Sequence, residues 1–263
     1  MNLVYGYFGK LPAYGDFVGR GWSDVSQNAM EKLVNLALAE TLASYEDGLA
    51  VIDRAPCSVI TVRPGVLCQS GFLVVIIPSY DRVGRRFPLI AGVQWTHDES
   101  GDGLSWPSVA YATALIMRLR RAVQAASDAD DVRAAVESVG SPERCASTFC
   151  DIGDDDTLPR IPGNSKLLHF SWPLSAVSMH ASGVCVALQA SSDILGLIFS
   201  ADGQVQDAFI CRRLASGSQL APIFDGRWVE RGWTTYGADP PPLPGGANAR
   251  VRDIDNEATQ PRN

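Results

Sequence analysis

Residues 58–94 read SVITVRPGVLCQSGFLVVIIPSYDRVGRRFPLIAGVQ, and this stretch decides the fold class. It holds three strand-length apolar blocks, Ser58 to Val62, Phe72 to Ile77 and Pro88 to Gln94, rich in the β-branched residues that suit a pleated, buried surface. Pro64-Gly65 interrupts the first two, which are placed to pair as a hairpin or meander, and the charged loop SYDRVGRRF separates the second from the third. No helical pattern intervenes. Consecutive strands without crossover helices favour an antiparallel or mixed sheet covered by helices on at least one face.

Outside this block the periodicity becomes helical. Upstream, Leu3 to Phe8 suits a first strand, and the turn-rich GKLPAYGDF follows it. Ser23 is a candidate cap for a helix whose apolar face runs through Met30, Leu33, Val34, Ala37, Leu38, Leu42 and Tyr45, with Asp47-Gly48 as its end. Downstream, Ser105 and Pro107 predict a helix start continued by Val109, Ala112, Ile116, Leu119 and Val123. A shorter helix is expected from Asp130 to Val139, closed by Gly140 and Pro142. Phe149 to Asn164 reads as a loop, then Leu167 to Trp172, Val184 to Leu188 and Ile194 to Phe199 as strands, and Val205 to Leu214 as a last helix. The order is therefore β-α-β-β-β-α-α, then β-β-β-α: an α/β (α+β) protein with a mixed or mainly antiparallel sheet flanked by helices. The first seven elements resemble the longin or SNARE-like arrangement less one initial strand, a likeness of fold alone.

The 263 residues carry 46% hydrophobic and 19% charged side chains, a balance that can bury a sizeable core. One domain is expected over residues 1–236, with a weaker boundary within 140–165 and a flexible Pro/Gly-rich, polar tail over 237–263. The net charge of −7 argues against a nucleic-acid partner, because phosphate backbones repel a net anion. No apolar run approaches the roughly 18 to 20 residues a bilayer span requires, so no direct membrane insertion is expected. MNLVYGYFGK shows no secretory signal, so the six cysteines read as buried cytoplasmic thiols.

Catalytic and metal chemistry find little support. His97 reads as a solvated loop residue, His169 in LLHFSW as a satisfied core residue, and His180 as a turn residue. Gly9-Lys10 lacks the remaining parts of a P-loop, since no glycine precedes it at the required spacing and Leu11-Pro12 follows. Cys145 and Cys150 have no second pair to complete a zinc site, and Asp154, Asp155 and Asp156 lack the alternation of a calcium loop. No nucleophile elbow is present. The expectation is a protein without enzymatic activity, cofactor or metal.

Two segments stand out instead. GKLPAYGDFVGRG sets Lys10, Asp16 and Arg20 among glycines beside Tyr14, Phe17 and Trp22, and PSYDRVGRRFPL sets Asp81, Arg82, Arg85 and Arg86 between two apolar strands. Ion pairs that tie the loops internally and a partner-binding rim would both use these residue types. In sequence the segments resemble the two signatures of the TagF (ImpM) family, G-aromatic-aromatic-GK-(L/I)-P-x-x-GDF-(V/I)-x-R and P-S-x-D-x-x-G-R-x-F-P. Gly6, Gly9, Lys10, Pro12, Gly15, Asp16, Phe17 and Arg20 match the first, and Pro78, Ser79, Asp81, Gly84, Arg85, Phe87 and Pro88 the second. The likeness spans roughly residues 5 to 95.

That resemblance implies a cytoplasmic, post-translational repressor of type VI secretion in Gram-negative bacteria. Such a protein binds a forkhead-associated scaffold protein and limits assembly of the apparatus. The residues expected to meet the partner are Lys10, Tyr14, Asp16, Phe17, Arg20, Trp22, Asp81, Arg82, Arg85 and Arg86. A structural component of the apparatus and a small nucleotide- or phosphate-sensing domain remain as alternatives.

Overall fold

The computed structural model describes residues 3–96, 109–125, 128–140, 166–171, 193–200, 205–214 and 216–237. The expected helix start at Ser105 and Pro107, the loop from Phe149 to Asn164, the strand from Val184 to Leu188 and the tail beyond residue 237 lie outside them, as do His97, His180, Cys145, Cys150, Cys185 and the Asp154–Asp156 run.

The elements are β1 (Leu3–Gly9), β2 (Val18–Arg20), α1 (Asp24–Ser44), α2 (Gly48–Asp53), β3 (Cys57–Val62), β4 (Ser70–Ile77), β5 (Leu89–Thr96), α3 (Val109–Gln124), α4 (Ala129–Glu137), β6 (Leu167–Ser171), β7 (Ile194–Phe199), β8 (Val205–Cys211), a 3₁₀ turn (Gly217–Leu220), α5 (Pro222–Asp225) and β9 (Thr234–Gly237). The nine strands among the described residues join one sheet in the order β2-β1-β5-β4-β3-β7-β8-β6-β9. Every pairing is antiparallel except β6 with β9, which is parallel.

The central strands are apolar on both faces because helices cover both. In β4, Leu73, Val75 and Ile77 join one core while Phe72, Val74 and Ile76 join the other. The first core collects Tyr111, Leu115, Ile116 and Leu119 from α3 and Val132 and Val136 from α4. The second takes Met30, Leu33, Val34, Ala37 and Leu38 from α1, with Ile223, Phe224, Trp228 and Trp233 from the C-terminal segment. Strands so enclosed lose the simple in–out alternation of a half-exposed sheet.

This enclosure explains the element misread among the described residues. Val205 to Leu214 is not a helix: β8 occupies Val205–Cys211 and pairs with both β6 and β7. Ala208 and Ile210 enter the first core and Phe209 and Cys211 the second, so the residues form a continuous apolar run whose period alone does not separate strand from helix. Three smaller differences have local causes. Asp47 does not simply close α1 but caps α2, its carboxylate accepting from Ala50 N–H at 3.1 Å. Leu42 turns outward, and Thr41 takes the buried position by donating to the Ala37 carbonyl. The stretch after GDF contains β2, which pairs with β1 from Tyr7 to Gly9.

Other expectations meet mixed outcomes among the described residues. Ser23 caps α1 by accepting from Ser26 N–H. Cys57 and Cys211 are buried free thiols, and burial pushes their pKa values up to about 11 and about 12, whereas Cys68, also expected to be buried, is a half-buried free thiol. His169 is buried and stacks on Trp228 at 4.3 Å, yet its Nε2 lies 3.3 Å from Asp207 without hydrogen-bond geometry, so it is packed rather than polar-satisfied. No described helix is long and apolar enough to cross a membrane.

The β7–β8 register offers a direct check. Gly196 faces Phe209 across the ladder, and a Cβ at Gly196 would sit 1.9 Å from that ring. Gly196→Ala is expected to lower unfolding free energy by about 1 to 3 kcal/mol, and adding Phe209→Ala is expected to cost less than the two single changes together. Urea denaturation of the four variants of this cycle measures the coupling.

Candidate functional site

The two charged segments meet at one carboxylate. Asp81 is fully inaccessible to solvent, and both its oxygens are occupied. Oδ2 accepts from Lys10 Nζ at 2.8 Å and from Arg85 Nε at 2.7 Å. Oδ1 accepts from the backbone N–H groups of Val83 and Arg85 at 3.1 and 2.9 Å. The chain folds this way locally because Asp81 starts a turn: Gly84 N–H returns to the Asp81 carbonyl, and Asp81 N–H bonds the Arg85 carbonyl. Gly84 has φ +86°, a conformation that disfavours side chains.

Backbone bonds complete the bracket. Ser79 Oγ donates to the Lys10 carbonyl at 2.7 Å, Arg82 N–H donates to the Tyr14 carbonyl at 2.7 Å, and Arg85 Nη2 donates to the Gly15 carbonyl. Gly9 enters the first loop at φ +145°, where a Cβ would sit 2.3 Å from the Pro88 carbonyl oxygen, so the loop leaves β1 pressed against the start of β5. Above the bracket, Phe17 stacks parallel to Phe8 at 5.2 Å and meets Phe87 edge-on at 4.9 Å, with Lys10 Nζ 5.0 Å from its ring centre.

The sequence-predicted residues divide by location. Lys10 and Asp81 are buried in the bracket, and Trp22 is buried edge-on to Phe72, so these three hold the loops rather than present a surface. Tyr14 and Arg20 reach α4 instead: Tyr14 Oη accepts from Ala129 N–H at 3.1 Å, and Arg20 Nη1 pairs with Asp130 at 2.6 Å. Asp16, Phe17, Arg82, Arg85 and Arg86 are exposed. Arg86 forms a bidentate pair with Asp53 of α2 at 2.8 and 2.9 Å and lies over Tyr80. Arg82 has no ion pair among the described residues.

Sequence reasoning missed Tyr80 and Val83, which are 47% and 67% exposed and place apolar surface between the arginines. Their signal was present, since they lie inside the second charged segment. Asp53 carried none, being 33 residues from Arg86.

The class defined by these features is a mixed α/β module with an internally braced pair of loops that presents an aromatic and arginine-rich rim. Among the described residues no group of three or more His, Cys, Asp or Glu side chains is arranged to hold a metal ion. The family model for the TagF N-terminal domain, type VI secretion system-associated, matches residues 6–139, and the chain belongs to that family. The crystal structure of PA0076 from Pseudomonas aeruginosa PAO1 is similar in fold, with a TM-score of 0.55 at 17% identity over 92% of this chain and 99% of that one. No curated protein matches the chain. Family membership makes this a type VI secretion-associated accessory protein.

Burial raises the pKa of Asp81, but the hydrogen bonds from Lys10 and Arg85 and the charge of Arg85 outweigh it and hold the carboxyl well below the usual carboxylate range. A pKa lowered in the folded state gives stability that is fully present above the unfolded value of about 4 and is lost as pH falls through the folded value. Asp81→Asn is therefore expected to melt several degrees below the unsubstituted protein at neutral pH, with the gap closing as pH falls below about 4. Thermal melts at stepped pH test this, and a constant gap would contradict it.

Proposed function

We propose that the protein represses type VI secretion in the cytoplasm by binding the forkhead-associated scaffold protein and limiting assembly of the apparatus. It acts by contact rather than by turnover. The observation that carries the reading is the split within the two motifs: Lys10 and Asp81 lock the loops from inside, while Phe17, Arg82, Val83 and Arg86 remain outside on the locked frame. A preorganised aromatic and guanidinium rim loses little conformational entropy on association, which favours protein recognition. The phosphate-sensing alternative needs a free Lys10 charge, and that charge is committed to Asp81.

The predicted contact set is accordingly narrower than the motifs. Lys10, Asp81 and Trp22 act through loop geometry, whereas Phe17, Arg82, Val83 and Arg86 meet the partner. Arg82→Glu combined with Val83→Asp, both at exposed positions, is expected to leave the melting temperature within a few degrees and weaken scaffold binding at least tenfold, about 1.4 kcal/mol or more. Affinity measurement on the purified pair reads this directly, and undiminished binding would remove the rim from the interface. Deleting the protein from cells is expected to raise secretion, whereas a structural component would abolish it on deletion.

A further inference from the structure

The last strand, β9, is held by less than its neighbours. It is four residues long, and among the described residues it pairs only with β6, from Leu168 opposite Thr234 to Ser171 opposite Gly237. That pairing is parallel, and parallel ladders are slightly weaker per residue than antiparallel ones. The sheet order places this edge opposite β2, apart from the first charged loop.

The register sets His169 beside Thr235 on one face of the sheet, and neither side chain finds a polar partner there. His169 is fully buried, and neither of its ring nitrogens makes a hydrogen bond. Trp228 covers the imidazole at 4.3 Å, and Asp207 of β8 lies 3.3 Å from Nε2 outside hydrogen-bond geometry. The Thr235 hydroxyl is enclosed and equally unpaired. Buried polar groups without partners lose the hydrogen bonds that water would give them, which disfavours the closed arrangement. Both groups reach water when β9 leaves β6, and that gain offsets part of the ladder bonds lost.

The segment before β9 is firmly anchored. Arg231 bridges Asp225 and Glu40, and Trp233, buried in the second core, donates from Nε1 to the Gln219 carbonyl at 2.9 Å. The Trp233 N–H also returns to the Trp228 carbonyl at 2.9 Å. Thr234, the next residue, is exposed. Firm attachment therefore ends at Trp233, where the poorly satisfied strand begins. On its other side β6 pairs with β8 along its whole length, so β6 does not depend on β9 for its place.

We propose that β9 is a detachable edge strand. It opens from Trp233 outward as one local unit while the rest of the sheet stays folded, and its release leaves β6 as the open edge. This device stands independently of the scaffold-docking reading, since it uses none of the rim residues.

Native-state hydrogen exchange on the full chain tests it. The slowest amide of β9 is expected to exchange at least about tenfold faster than the slowest amides of β3 and β8, and at least about tenfold faster than the Trp233 amide. Thr235→Val keeps the shape and removes the unpaired hydroxyl, so it is expected to slow β9 exchange about threefold or more. Thr234→Val, at an exposed position of the same strand, is the control and is expected to change it less than about twofold. His169→Phe preserves the stack on Trp228 and is expected to slow β9 as Thr235→Val does. The proposal is overturned if β9 is protected as well as β8, if Trp233 opens together with β9, or if neither Thr235→Val nor His169→Phe slows β9 more than Thr234→Val does.

Discussion

The Asp81 carboxylate is the constraint on which the functional face depends. It takes two backbone N–H groups from its own loop, one guanidinium from that loop and one ammonium from the loop after β1. A buried carboxylate tolerates its loss of water only when such partners are complete. Lys10 is equally committed, because an unpaired ammonium at 5% exposure would carry the same penalty. Each loop therefore supplies the charge that the other needs, and neither geometry is stable without its counterpart. The backbone bonds from Ser79 and Arg82 then fix the register between the loops to within a single residue.

Beneath this bracket lies a sheet with two cores. The segment after residue 166 adds β6 to β9 to the sheet begun by β1 to β5, and β3 pairs with β7 along its whole length. The C-terminal strands are thus continuous with the family domain rather than appended to it. They also bring a second braced carboxylate: buried Asp225 accepts from Arg231, which reaches Glu40 and Ser44 of α1. That contact clamps the C-terminal segment to the helix covering the second core.

Much of the N-terminal half was legible because its elements bury one recognisable pattern each. The α1 face, the three central strands and the Ser23 cap follow from spacing and side-chain chemistry alone. Legibility fails where context replaces period. In β8, Ala208 to Cys211 are buried on both faces, and only the neighbouring strands reveal which way each side chain points. The functional segments show a subtler limit. Composition placed Lys10, Asp81 and Arg82 in one set, since sequence does not distinguish a charge that braces from a charge that is offered. The distinction depends on distance, and Asp53 and Asp130, which hold Arg86 and Arg20, lie 33 and 110 residues away from them.

The division of charge also sets how the rim would be found by a partner. The whole chain carries −7, yet Arg82, Arg85 and Arg86 cluster on one loop, and Arg82 has no neutralising neighbour among the described residues. Arg85 is offset by Asp81 and Arg86 by Asp53, so Arg82 is the charge this loop offers outward, and a local positive charge on a net-negative body favours the approach of an acidic surface at that point. On the proposed docking reading, exposed Phe17, Tyr80 and Val83 would contribute affinity once contact is made, while the arginines would select the approach. Such a surface works only if its elements stay in register before the partner arrives, and that requirement gives a physical reason to keep a fully paired, buried Lys–Asp bracket under an otherwise exposed pair of loops.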